Sequence, residues 1–268
     1  MPELDLYQVD AFADRLFAGN PAAVIPLRDW LPDEALQAIA VENNLSETAY
    51  FIRQGDGRYH LRWFTPGYEV PLCGHATLAS AHILYTELGE EVDALKFETL
   101  SGELTVARDG ADYVMDFPAD PPVETVAPVN LAAALGAAPA AVLRGQYLLA
   151  VYDDETTLRG LNPDMHELIT LSRPENGVGD SVIVTAPGEG EYDFVSRFFA
   201  PTAGIPEDPV TGSAHCTLAP YWAERLGKDA LNAFQASARG GFVGCRVAGD
   251  RVELTGAAVT YLRGRIVV

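Results

Sequence analysis

Lysine is almost missing from this chain. Of 268 residues only Lys96 and Lys228 carry an ammonium group, and the remaining basic charge is arginine. Basic residues number 18 against 38 acidic ones, a formal net charge of −20. That balance argues against nucleic acid or an anionic membrane surface as a partner, since both are polyanions. It does not select a cationic substrate, because the potential at a site is local. Cysteine is equally sparse: Cys73, Cys216 and Cys245 include no C-x-x-C pair and are too few for a disulfide framework. No apolar run reaches the roughly 18 residues of a membrane span. The acidic opening, Met1 to Asp5, lacks the basic and apolar regions of a signal peptide. The expectation is a cytoplasmic protein with reduced thiols. No phosphate-loop or dinucleotide glycine pattern stands between a strand and a helix.

What is present is an ordinary globular composition, 48% hydrophobic and 21% charged. The length suits one large domain or two of about 130 residues. Alternation and aromatic content predict strands over 4–12, 48–53 and 58–64, the last two joined by Gln54-Gly55-Asp56-Gly57. Leu31-Pro32-Asp33-Glu34 opens a helix running to about Glu42, with acids where the helix dipole favours them. A second helix starts near Gly74 and ends at Gly89, and strands follow over 95–99, 103–108 and 113–117. The proline-rich stretch from Phe117 to Glu124 cannot be an element interior. Residues 118–128 therefore read as a linker between domains at 1–117 and 129–257. The second half offers a short Ala-rich helix, strands over 147–152, 180–186, 192–199, 231–235, 241–247 and 251–254, and helices over 165–171 and 212–227. A last strand, 258–268, is placed to return to the first domain.

The halves repeat one another. FTPGYEVPLCGHATLAS resembles FAPTAGIPEDPVTGSAHCTLA, and at one constant separation Glu69 falls on Glu207, Pro71 on Pro209, Gly74 on Gly212 and Ala76 on Ala214. Phe64 and Pro66 then meet Phe199 and Pro201 if three residues are inserted between. A repeat this long means duplicated domains rather than a solenoid.

Each copy reads strand, proline-rich turn, glycine, helix. A helix that begins at glycine presents unpaired N–H groups and a positive dipole end, which suit a carboxylate or phosphate. The residues at the two starts are polar and mismatched: Cys73, Gly74 and His75 in one, Glu207, Asp208, Thr211, Gly212 and Ser213 in the other. Histidine moves protons near neutral pH, and aspartate can orient an amine or an imidazole. Taken singly, such a His is more often a surface residue, such an Asp a turn former and such a Ser a cap. Matched places in a repeat favour function. Glu47, in Asn43-Asn44-Leu45-Ser46-Glu47-Thr48, stands before an apolar strand where desolvation would suit it to carry protons. Residue type alone leaves a solvated loop acid as the commoner fate.

Together these segments resemble the PhzF family, the phenazine-biosynthesis isomerase and its relatives. The matching pieces are VDAFADRLFAGNPAAV, NLSETAYF, FTPGYEVPLCGHATLASAHIL, FFAPTAGIPEDPVTGSAHCTLAPYW and QASARGG, in order along essentially the whole chain. The resemblance implies an α+β fold like diaminopimelate epimerase: two duplicated domains, each a curved, mostly antiparallel sheet wrapped around a central helix, with the active site in the cleft between them. It implies Glu47 as proton shuttle, with His75 and Asp208 holding and polarising the substrate. It implies Gly74, Gly212 and Ser213 as donors to a substrate carboxylate, and Asn20 as a further contact. The implied reaction moves a proton and double bonds in a small carboxylate-bearing molecule without metal or organic cofactor, in a homodimer. The nearest competitor is a two-thiol racemase using Cys73, whose counterpart in the repeat is Thr211 and not a cysteine. A non-catalytic binding protein is the alternative from another class. A metal enzyme is disfavoured, because neither Cys73 with His75 nor His215 with Cys216 has a spacing that converges on one ion.

Overall fold

Burial overrides proline content in the first strands. The computed structural model describes residues 3–171 and 180–268. In it β1 (Glu3–Ala11) pairs antiparallel with β2 (Asn20–Leu27). The sequence pattern does not predict β2, since Pro21 and Pro26 argue against an interior strand. Its Ala22, Ala23, Val24 and Ile25 are nevertheless buried, and it pairs on its other side, in parallel, with β3 (Glu47–Gly55). Helix α1 (Asp33–Asn43) lies in the crossover connection such a parallel pair requires. β4 (Arg58–Phe64) and the two-residue β5 (Glu69–Val70) continue antiparallel. Helix α2 (Gly74–Thr86) then returns the chain so that β6 (Ala94–Thr99) runs parallel to β4. β7 (Gly102–Asp109) and β8 (Asp112–Pro118) complete the run antiparallel.

Eleven of the thirteen residues of α2 are buried. A helix apolar on every side belongs inside its fold, and small residues here let strands approach it from all round. Its hydroxyls turn back on their own helix: Thr77 donates to the Cys73 carbonyl at 2.5 Å and Ser80 to that of Ala76 at 2.7 Å.

The second half repeats the order. After β9 (Val123–Glu124) and α3 (Leu131–Leu135) come β10 (Ala141–Arg144), β11 (Leu148–Val151), α4 (Glu155–Gly160) and α5 (Met165–Thr170). Then follow β12 (Val182–Pro187), β13 (Phe194–Ala200), β14 (Ile205–Asp208), α6 (Gly212–Leu226), β15 (Ala230–Gln235), β16 (Gly241–Ala248), β17 (Arg251–Gly256) and β18 (Ala258–Val267). The parallel pairs recur in place: β11 with β12 matches β2 with β3, and β13 with β15 matches β4 with β6. Helix α6 contains Pro220, which removes the donor for the Cys216 carbonyl. The backbone N–H of Asp120 takes its place at 3.0 Å.

The chain divides into one unit of Met1–Phe117 with Glu253–Val268 and another of Pro118–Val252. Two boundaries therefore move from those read in the sequence. Residues 118–128 belong to the second unit rather than forming a free linker. The Asp120 carboxylate accepts from Thr217 Oγ1 at 2.5 Å and from the Gln146 N–H at 2.7 Å, and β9 pairs with β10. Residues 253–257 belong to the first unit: Ala13 N–H donates to the Ala257 carbonyl at 3.1 Å, and Gly256 lies so close to the Phe12 ring that a Cβ would meet it at 2.4 Å. β18 lies antiparallel on β1 from Glu3 opposite Val267 to Ala11 opposite Ala258. No helix among the described residues is long and apolar enough to cross a membrane.

A buried histidine clips β18 to α2. His82 Nδ1 meets the Tyr113 hydroxyl and Nε2 meets Thr260 Oγ1, each at 2.9 Å, while Arg263 grips Glu87 through two nitrogens. Burial lowers the His82 pKa to about 4, and burial does the same to His215 in α6. Both are neutral when folded and gain a proton on unfolding, so stability is complete above about pH 6.5 and falls as pH drops toward 4. Between about pH 7 and 5.5 the loss should be about 1 kcal/mol per histidine. Urea unfolding at the two pH values measures it. His82→Gln should flatten the dependence, and an unchanged slope in that variant would remove His82 as a source.

Candidate active site

Three chain segments converge at the start of α2. Glu47 is the first residue of β3, Asn20 the first of β2, and Cys73 and His75 flank Gly74. All four polar side chains are buried, Asn20 completely and the others to better than nine-tenths. His75 Nε2 stands 3.1 Å from Glu47 Oε2 in an ion-pair contact. Its Nδ1 lies 3.2 Å from Asn20 Nδ2 and 3.5 Å from Cys73 Sγ. An amide nitrogen only donates, so this orientation of Asn20 matches a neutral ring with its proton on Nε2. Turned over, the same amide offers oxygen to the Nδ1–H of an imidazolium. Asn20 can therefore hold His75 in either protonation state. Its side chain has no exposure and lies against the imidazole.

Burial opposes charge on His75, but Cys73 and Glu47 beside it outweigh that and hold its pKa above the usual histidine value. Burial, with Glu47 adding, pushes the Cys73 thiol up to about 11. The thiol is thus protonated at neutral pH and a poor nucleophile or base. In the second unit Thr211 occupies the matching N-cap. The thiol pair of the competing mechanism is incomplete on both counts.

The second unit builds a different cluster at the start of α6. Asp208 ends β14, and its Oδ2 accepts from the Thr211 hydroxyl. Gln235, wholly buried on β15, closes the turn: its Oε1 accepts from the Thr211 N–H at 2.9 Å, and its Nε2 donates to the Asp208 carbonyl at 2.8 Å and to Thr211 Oγ1 at 3.2 Å. Ser213 Oγ lies 3.0 Å from the Tyr147 hydroxyl, and the Tyr147 ring packs edge-on to Phe198. The roles of Gln235 and Tyr147 are not legible in the sequence. A glutamine ending an apolar strand was the available signal. Gln235→Leu should leave the Thr211 N–H and hydroxyl without this partner. We expect a drop of about 1–3 kcal/mol in stability, read by urea unfolding.

The helix starts are braced alike in both units. Arg62 forks onto Glu69 at 2.7 Å through both nitrogens, and Arg197 onto Glu207 at 2.7 and 3.1 Å. The same guanidinium groups lie over Phe64 and Phe199, 5.1 and 4.9 Å from the ring centres. Neither Cys73 nor Thr211 caps its helix with a side-chain hydrogen bond. The copies diverge where chemistry is concentrated. In strand register Thr48 faces Phe64 and Val182 faces Phe199, so the residue matching Glu47 is Ser181. The acid exists in one copy alone.

A duplicated α+β fold with a helix inside each sheet is the architecture of epimerase-like enzymes. A hydroxyproline epimerase of Agrobacterium vitis shares it at TM-score 0.59 over 98% of this chain and 92% of its own, at 12% identity. Closer likenesses are specific. The sequence profile described as phenazine biosynthesis-like protein matches residues 9–264. An uncharacterised isomerase of Pseudomonas aeruginosa is 53% identical over 98% of this chain and 99% of its own. The crystal structure of a PhzF-family phenazine biosynthesis protein from Enterococcus faecalis superposes at TM-score 0.94, with 43% identity and full coverage of both chains. The chain belongs to the phenazine biosynthesis-like, or PhzF, family.

Proposed function

We propose that this protein is an isomerase that moves a proton, and with it double bonds, within a small unsaturated carboxylate. The observation that carries this reading is the buried contact of Glu47 with His75 at the uncapped start of α2. The Glu47 carboxylate takes a C–H proton beside the unsaturated system. The resulting carboxylic acid returns it to another carbon of the same molecule, so no atom is gained or lost. His75 and Asp208 hold and polarise the substrate. Backbone and hydroxyl donors at Gly74, Gly212 and Ser213 receive its carboxylate, as uncapped helix starts favour an anion. The conjugated product spreads the transient charge, so the reaction needs no metal or organic cofactor. Names given to relatives point the same way, since several are isomerases by name. The working unit of this reading is a cytoplasmic homodimer.

Proton NMR in heavy water, on a panel of unsaturated and cyclic amino and hydroxy acids, tests the proposal. The expected result is a shifted double bond or deuterium at carbon in at least one compound. Binding of a compound, seen as thermal stabilisation, with no exchange in any of them would favour a binding protein.

A further inference from the structure

Spacing along the chain sets metals aside, because Cys73 and His75 stand two residues apart and offer no further ligand nearby. The fold supplies the third from far upstream. Glu47, Cys73 and His75 each present a ligand atom, and all three lie within 4.8 Å of one another in a buried cluster. The set contains one sulfur, one imidazole nitrogen and one carboxylate oxygen, a borderline-soft combination suited to zinc.

Geometry adds to donor type. Zinc bonds of about 2.3 Å to sulfur and about 2.0–2.2 Å to nitrogen or oxygen, arranged tetrahedrally, space the donors by about 3.3–3.6 Å. Glu47 Oε2 and His75 Nε2 already stand 3.1 Å apart, while Cys73 Sγ lies 3.5 Å from the other ring nitrogen, Nδ1, and has to turn toward Nε2 to join them. A second observation is independent of the spacing. Among the described residues, Glu47 Oε2 and His75 Nε2 are buried polar atoms without a hydrogen-bond partner: their ion-pair contact does not have hydrogen-bond geometry. Native folds rarely leave two such atoms facing each other unserved, and a cation between them would satisfy both. Asn20 Nδ2 lies 3.2 Å from the far ring nitrogen, and with the amide turned over its oxygen would accept from Nδ1–H, the outer partner that metal-binding histidines use to fix their orientation.

We propose that Glu47, Cys73 and His75 form a binding site for a thiophilic divalent cation of the zinc type. This rests on the reading above only for its consequence, which is that the bound ion occupies the oxygen the base needs and so silences proton transfer. Nε2 and one carboxylate oxygen grip the ion, and Cys73 swings its sulfur in from the N-cap. Binding forms bonds from the metal to sulfur, Nε2 and a carboxylate oxygen, releases the thiol proton to solvent and moves the Nε2 proton to Nδ1 or, from an imidazolium, to solvent, with no change in oxidation state. Three protein ligands leave the fourth position for water.

Cobalt(II) and zinc are the probes. Cobalt added to the reduced full-length protein should give a near-ultraviolet thiolate-to-cobalt charge-transfer band that saturates at one ion per chain and is displaced by zinc. Cys73→Ser should abolish the band and weaken zinc binding by calorimetry at least about tenfold, and Glu47→Gln should weaken it by a similar factor. Cys216 and Cys245 are unchanged in Cys73→Ser, so a band from either would survive there. Thermal unfolding without metal shows that each variant is folded. Absence of the band in the wild type, or a band retained in Cys73→Ser, overturns the proposal. These readouts need no substrate. A metal site that behaves as described in a protein whose Glu47→Gln variant still exchanges protons would uphold the site and refute Glu47 as the base.

Discussion

Glu47→Gln should lower deuterium incorporation by about 10² to 10⁴-fold, the usual worth of a general acid–base group, and leave the fold intact. The substitution keeps the shape of the side chain and removes the ability to accept and return a proton. It does so at a residue that begins β3 and whose counterpart in the second copy is Ser181, so no duplicate can compensate. Cys73→Ser should retain most of the exchange. Its thiol is pushed up to about 11 and is protonated at neutral pH. The opposite pattern, exchange lost in Cys73→Ser and kept in Glu47→Gln, would establish thiol chemistry. The comparison needs one substrate that exchanges in the wild type, and it is read by NMR in the same samples.

Gly19→Ala should destabilise the protein by about 3 kcal/mol or more, although no catalytic atom is touched. Gly19 has φ +65°, a left-handed conformation that costs a side chain about 1 kcal/mol by itself. The larger penalty is contact: a Cβ there would lie 2.1 Å from the carbonyl oxygen of Ala11 and 2.8 Å from the Ala13 Cβ. Backbone must move to relieve it, and Asn20, the next residue, would lose its place against His75. Gly89→Ala is the matched control. Gly89 has φ +71° in the same unit with nothing within 4 Å of a Cβ, so only the conformational cost applies. Thermal unfolding should separate the two by several degrees, at about 2–4 °C per kcal/mol for a chain of this size. Equal losses in both variants would show that close approach at Gly19 contributes nothing.

Much of the architecture is legible without coordinates, and the reason is local. Strands β4, β6, β7 and β8 alternate apolar and polar residues, β3 holds the apolar run Ala49 to Ile52, glycines punctuate them, and α2 and α6 begin at glycines after proline-rich turns. The sequence shows the duplication as aligned residues, and the sheet pairings repeat it strand for strand. What escapes the local signal is instructive. β2 carries two prolines and is a strand only because its neighbours bury it on both sides. The 118–128 stretch has the composition of a linker, yet its Asp120 supplies the donor that Pro220 removes from α6. Neither fact is written within a few residues of the position concerned.

The site divides along the same line. Residue type, glycine placement and the repeat single out His75, Asp208, Gly74, Gly212 and Ser213 from the linear order, and the family motifs add Glu47 and Asn20. Which atoms face one another is a property of the fold. Only the pairing of β2 with β3 around α2 brings Asn20, Glu47, Cys73 and His75 together, and only the strand β15 delivers Gln235 to Asp208 and Thr211. Amino-acid sequence determined the family, the duplicated domains and the kinds of group available, because those depend on composition, periodicity and short motifs. Tertiary structure alone decided that the His75 ring is held by an asparagine and faces a carboxylate, and that a thiol completes the cluster. Burial and long-range strand pairing set those contacts, and neither leaves a mark at fixed spacing along the chain.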